Sequence, residues 1–245
     1  MVVLVLGSTG NTGYPLVRQL LDRGHKVRTI VRSPEKFKTD LTSNPNLTII
    51  ESNPLTLPEE KMKETITGCD AVVSCLGHVV SLKGMFGAPR ELVTDVVKRT
   101  CHTIELVAPA KKVKFILMSS VAVANPDTSK PESRKIIDRL ILFLVRALLP
   151  PHRDNESAAK YLRSVITKDN DYIEWCSVRP DGLLNLEVGE YTITESPITS
   201  FTSAGITTRS NVAHFMCELI EKPKFWNNWK GKMPAILDKN QTRPK

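Results

Sequence analysis

Residues 1–36 read MVVLVLGSTGNTGYPLVRQLLDRGHKVRTIVRSPEK. An apolar β-branched run at 2–6 meets glycines at 7, 10 and 13, and an amphipathic helical pattern follows over 11–23. A second apolar run, 26–31, ends in Arg32. A strand that must turn sharply into a helix needs unusual backbone angles, which Gly7 supplies. Gly10 leaves room for a diphosphate against the main chain, and Gly13 lets the helix pack closely on the strand. The N–H groups of Ser8, Thr9, Gly10, Asn11 and Thr12 then face a ligand at the positive end of a helix dipole. The spacing is G-x-x-G-x-x-G, a variant of the dinucleotide fingerprint.

The residue after the second run decides which dinucleotide is expected. An acid about 20 residues past the glycines would hydrogen-bond a ribose hydroxyl. This chain has Arg32 there, with Lys36 and Lys38 behind it. A guanidinium pairs in bidentate fashion with a 2′-phosphate. NADP(H) is therefore expected ahead of NAD(H), although Arg32 also reads as a solvated loop cation beside Glu35.

The pattern continues outward. Strand candidates fall at 47–51, 70–76, 114–118 and 171–177, with a late one at 233–237. Helical patterns fall at 58–67, 88–110, 155–167 and 208–221. Short apolar strands alternating with helices indicate βαβ units, a parallel sheet and helices on both faces. Within the last interval before the 155–167 helix, Asp154 or Asn155 reads as an N-cap with Glu156 in the first turn. The 136–149 segment, IIDRLILFLVRALL, carries Ile137, Leu140, Ile141, Leu144 and Leu148 on one stripe, widened by Leu142 and Phe143. A helix so apolar is usually buried on more than one side. It reads as a wall of a substrate pocket, then as an oligomer contact, then as a surface membrane element.

Composition excludes several classes. The 245 residues are 41% hydrophobic and 24% charged, enough for a full core. No run approaches the roughly 18 apolar residues of a membrane span. The start lacks a basic n-region and reads as a strand, not a signal peptide. Five cysteines form no C-x-x-C pair, so buried reduced thiols in a cytoplasmic, reducing compartment are expected, with no metal site. Net charge is +8 and the last 25 residues are basic, yet scattered and without a nucleic-acid-binding motif.

Taken together, GSTGNTG (7–13), VRSPEK (31–36), DAVVSCLG (70–77), FILMSS (115–120), WCSVRPDGL (175–183) and TTRSNVAHFMCELIE (207–221) resemble the atypical short-chain dehydrogenase/reductase group. The likeness is closest to its NmrA-like branch and to the biliverdin-IXβ reductase/flavin reductase type. That resemblance implies an α/β, Rossmann-type doubly wound parallel sheet of order 3-2-1-4-5-6, one NAD(P)-binding domain over 1–245, and substrate-side elements at 78–90, 121–150 and 182–206. It implies that Cys75, Leu76 and Gly77 end the fourth strand against the cofactor ribose. Ser119 and Ser120 would end the fifth near the nicotinamide, and Pro180 would follow the sixth.

One departure matters. Tyr14, Tyr161, Tyr172 and Tyr191 are followed four residues on by Arg18, Val165, Cys176 and Glu195, so the Tyr-x-x-x-Lys pair of most such enzymes is missing. Hydride transfer to a conjugated acceptor such as a flavin or quinone needs only positioning and a solvent proton. The expected function is an NADPH-dependent oxidoreductase acting on a small molecule. The alternative is a non-catalytic NADP(H)-sensing partner of a regulator. Ser120 reads as an orienting hydroxyl or a turn former, and His78 as a proton donor or an ordinary loop histidine. A homodimer is compatible with both functions.

Overall fold

The computed structural model describes residues 1–37, 39–78, 87–127, 141–144, 148–199 and 205–240, with backbone alone at 39 and 40. The six apolar runs become strands β1 (Val2–Leu6), β2 (Lys26–Val31), β3 (Leu47–Glu51), β4 (Ala71–Ser74), β5 (Val113–Met118) and β6 (Ile173–Pro180). All pair in parallel, in the order β3-β2-β1-β4-β5-β6. This is the expected Rossmann-type sheet.

Side chains of each strand alternate between two cores. Val3 and Val5 of β1 face one core with helices α1 (Gly13–Asp22) and, later in the chain, Arg209–Glu221. Leu4 and Leu6 face the other, with α2 (Glu59–Ile66), α3 (Leu92–Val107) and α4 (Pro150–Tyr161). Burial on both faces is why β1 and β4 read as unbroken apolar runs, whereas the edge strand β3 is only half-buried and carries Thr48 and Glu51.

Three further strands carried too little pattern to be read from sequence: β7 (Gly182–Leu184), β8 (Tyr191–Thr194) and β9 (Ile206–Thr208). They precede helix α5 (Arg209–Glu221), the short α6 (Pro223–Trp229) and the late strand β10 (Ala235–Asp238). The main sheet extends through β10, parallel to β6, to β8, antiparallel to β10, while β7 and β9 form a separate parallel pair.

Three expectations need correction. The helix expected at 155–167 starts at Pro150, a residue preorganised for a first turn, and closes in a π-turn at Leu162–Ile166. Asp154 therefore lies inside α4 and caps a different helix. The sixth strand runs on to Pro180, so that residue ends the strand instead of following it. Much of the 136–149 segment lies outside the described residues. Within it, residues 141–144 are helical, Leu142 is buried, and Phe143, Leu144 and Leu148 are exposed, so Leu144 and Leu148 do not face a core.

All five cysteines are free and buried. Burial raises each thiol: Cys69 to about 11, Cys75 and Cys217 to about 12, and Cys101 and Cys176 well above their ordinary range. Among the described residues no helix is long and apolar enough to cross a membrane.

Candidate functional site

The glycine turn is built from backbone contacts. Gly7 has φ +78°, and a Cβ there would lie 2.8 Å from the carbonyl of Cys75. A Cβ on Gly13 would lie 2.2 Å from the Gly7 oxygen and 2.8 Å from Ser8 Cα. Both glycines are thus demanded by packing. Gly10 is different: its N–H donates to Gly7 O at 3.0 Å, and a Cβ would meet only that oxygen, at 3.1 Å. Its bareness keeps the outer face of the turn open.

The Ser8 side chain is committed to the fold. Thr29 donates its only hydroxyl proton to Val5 O at 2.9 Å, so Ser8 is the donor in the short, buried bond between the Ser8 and Thr29 hydroxyls. Ser8 has only its main chain to offer a ligand. Thr12 is buried and Asn11 exposed. Among the described residues no backbone carbonyl pairs with the N–H groups of Asn11 and Thr12.

The remaining expected residues follow along one edge of the sheet, at the carboxyl ends of successive strands. Leu6, the last residue of β1, is in register with Ile30, so the glycine turn and Arg32 both follow directly on the carboxyl ends of these two neighbouring strands. Arg32 is exposed, as are Glu35 and Lys36 in the turn Pro34–Lys36; Lys38 lies outside the described residues. Cys75 N–H donates to Leu6 O at 2.9 Å, which fixes the end of β4 against the turn. Leu76 is half-buried, and Gly77 is exposed with open space where a side chain would be. Ser119 N–H donates to Val178 O at 2.8 Å, and Pro180 O accepts from Val121 N–H at 3.1 Å.

Two of these groups test whether a dinucleotide fits. The Ser119 hydroxyl is buried and has no hydrogen-bond partner among the described residues. A buried hydroxyl in that condition is costly unless a ligand or water satisfies it. With the open cradle at Gly10, it fits a group bound along this edge. Ser120 Oγ, by contrast, accepts from Ala122 N–H at 3.2 Å and so takes part in a turn.

His78 does not project freely. Its Nε2 lies 2.7 Å from Asp154 Oδ2, with both side chains nearly fully buried. The same carboxylate accepts from Val93 N–H at 2.8 Å and Thr94 N–H at 2.9 Å, at the start of α3. Asp154 thus closes the α3 N-terminus from 60 residues away, where local pattern gives no sign of it. Tyr161 packs against the core, and burial pushes its phenol up to about 12, the opposite direction from an acid catalyst.

Sequence reasoning also missed the residues that brace the region beyond β6. Arg179 is fully buried and donates to Met233 O at 2.7 Å, Val123 O at 2.9 Å and Glu195 O at 2.8 Å. It joins three separate segments; a cation inside the apolar run WCSVRP was the available signal. Asp181 accepts from Gly182 N–H at 2.8 Å, from Gly205 N–H at 3.0 Å and from the Thr199 hydroxyl. Among the described residues, four lysines of the basic C-terminal stretch are each paired with a carboxylate. Lys222, Lys230, Lys232 and Lys239 meet Glu218, Glu174, Glu195 and Glu190 respectively. Among the described residues no cluster of His, Cys, Asp and Glu could hold a metal ion.

A family model described as NAD(P)H-binding matches residues 7–223. An uncharacterized chloroplastic protein of Arabidopsis thaliana is 33% identical over 124 residues, 49% of this chain and 41% of that protein. Noscapine synthase of Papaver somniferum is 29% identical over 144 residues, 57% of this chain and 41% of that enzyme. These matches therefore span about two fifths of those relatives' length. Among solved structures, a candidate NADH-flavin reductase of Streptococcus pneumoniae superposes with TM-score 0.66 at 18% identity, covering 98% of this chain and 100% of that one. A short-chain dehydrogenase/reductase of Veillonella parvula, solved with NADP, superposes with TM-score 0.68 at 11% identity, covering 99% and 96%. At these identities the structural likeness establishes the fold.

Proposed function

Because the chain belongs to this NAD(P)H-binding family, we propose that it is an NADPH-dependent oxidoreductase that passes hydride to a small conjugated acceptor such as a flavin or a quinone. The observation that carries the reading is the glycine turn at the end of β1, with Arg32 at the end of the neighbouring β2, continued along one sheet edge to the unpartnered Ser119 hydroxyl.

When bound, the cofactor supplies a hydride from its nicotinamide. The N–H groups at Asn11 and Thr12 would hold the diphosphate, as helix N-termini do. Arg32, with Lys36 behind it, would pair with the 2′-phosphate. The main chain of Cys75–Gly77 would lie beside the ribose, and Ser119 and Pro180 at the nicotinamide end. Ser120 would orient the acceptor, whose proton comes from solvent. Arg179 and Asp181 hold the substrate-side segments of this one-domain chain in place. The buried thiols support a reducing, cytoplasmic setting, and a homodimer is compatible with the arrangement.

One observation favours a second reading, a non-catalytic NADP(H)-sensing partner of a regulator: burial raises Tyr161, the tyrosine with a neighbouring lysine, instead of activating it. Anaerobic mixing of the protein and NADPH with quinones, flavins and dyes separates the two. Oxidation of NADPH supports the enzyme. Tight binding without oxidation of any acceptor supports the sensor.

A further inference from the structure

Beside the glycine turn lies a groove of about 610 Å³, within the roughly 300–1,000 Å³ range of small-molecule sites. It runs from Gly10 over the outer face of α1 to the 185–188 segment and the first residue of α5. Its charged groups are Arg18, Lys36 and Arg209 against Asp22 and Glu187. Arg18 is turned onto its own helix, donating to the Tyr14 hydroxyl at 3.1 Å and lying 5.6 Å from that ring.

Arg209 is held differently. Its Nη1 donates to Leu183 O at 3.2 Å and to Asn185 Oδ1 at 2.8 Å, which fixes the plane of the guanidinium. Its Nε and Nη2 have no hydrogen-bond partner among the described residues, and no carboxylate there forms an ion pair with it. Burial lowers its pKa with no acid offsetting the effect. A fixed, partly desolvated guanidinium with donors in hand suits a carboxylate or phosphate, for which charge-assisted bonds are strongest.

We propose that this groove, which opens off the cofactor turn at Thr9–Asn11, seats the acidic group of a flavin-type ligand, a carboxylate or phosphate, with Arg209 as its anchor. The inference rests on the oxidoreductase reading for the identity of its ligand, but its test does not need turnover.

Flavin-fluorescence titration of the NADP+-loaded protein compares FMN with riboflavin, which share a ring system and differ by a terminal phosphate. Wild type is expected to bind FMN at least tenfold more tightly. Arg209→Gln should erase that difference while leaving the dissociation constants for riboflavin and NADPH within twofold. Should that variant fail to fold, Glu187→Lys serves, since Glu187 is exposed. It should tighten FMN several-fold and leave riboflavin unchanged. Absence of FMN binding, equal binding of the two flavins by wild type, or an unmoved FMN affinity in Glu187→Lys overturns the proposal. So does a loss in Arg209→Gln that falls equally on both flavins, or on NADPH, which would assign the guanidinium to the cofactor's diphosphate. A protein that never oxidises NADPH but shows the FMN preference retains the groove and loses only the catalytic reading.

Discussion

Nε2 of His78 stands 2.7 Å from Oδ2 of Asp154, with the two side chains 5% and 0% exposed. The same carboxylate accepts from the Val93 and Thr94 N–H groups. The pair ties the loop after β4, on the cofactor edge, to α4 and to the start of α3. A histidine so engaged positions a loop more readily than it protonates an acceptor.

Asp154→Ala should therefore destabilise the fold by about 3–5 kcal/mol, the usual cost of leaving a buried polar partner without its charge. His78→Ala should cost about 1–3 kcal/mol and change turnover less than tenfold. Urea denaturation and steady-state rates check both. Turnover abolished in a stably folded His78→Ala protein would make the histidine a proton donor after all.

The glycines separate by role. Gly13→Ala places a Cβ 2.2 Å from the Gly7 oxygen and should abolish the folded turn. Gly10→Leu brings its Cβ against only the Gly7 oxygen, at 3.1 Å, so melting temperature should fall far less than for Gly13→Ala while dinucleotide affinity falls. Calorimetry on the folded variant is the check; unchanged affinity would remove the glycine turn from the site.

Ser119 and Ser120 should also part company. Ser119→Ala removes a buried hydroxyl without a partner among the described residues, so thermal stability should stay level or rise while cofactor affinity falls. Ser120→Ala should lower turnover roughly tenfold to a hundredfold with a smaller effect on NADPH binding. A fully active Ser120→Ala enzyme would leave that residue only its turn.

The thiols give an alkaline limit. Cys69, Cys75 and Cys217 are raised to about 11, 12 and 12 by burial, whereas an unfolded thiol ionises near 8.5. Between those values the folded state holds more protons than the unfolded one, so stability falls as pH rises. Each buried thiol contributes up to about 1.4 kcal/mol per pH unit in that window, and the contribution is intact below pH ~8.5. Urea midpoints from pH 8 to 11 should decline steadily. A flat profile, or rapid alkylation of any thiol in the native protein at pH 8, would contradict the burial.

The first six strands were legible because each is a short, mainly apolar, β-branched run, unbroken where both faces are buried, as Val3–Leu6 shows, and diluted by polar residues at the half-buried edge strand β3. The turn was legible because Gly7 and Gly13 answer to local backbone geometry. What escaped depends on distant partners. β8 (Tyr191–Thr194) is half-buried along its length and carries no such run. Asp154 resembles the cap of its own helix but caps one that begins far earlier in the chain. Arg179 is satisfied by three carbonyls from separate segments, which no spacing rule reveals.

The central claim is that Arg32, at the carboxyl end of the strand beside the glycine turn, selects the phosphorylated dinucleotide. A 2′-phosphate carries nearly two negative charges where NADH has a neutral hydroxyl, and a charge-assisted contact is worth about 1.5–3 kcal/mol, roughly tenfold to over a hundredfold in affinity. Dissociation constants for NADPH and NADH, taken at one ionic strength on wild type and Arg32→Asp, test it directly. We expect wild type to prefer NADPH by at least tenfold and the variant to lose or invert that preference. Equal wild-type affinities, or a variant that favours NADPH as strongly as before, would contradict it.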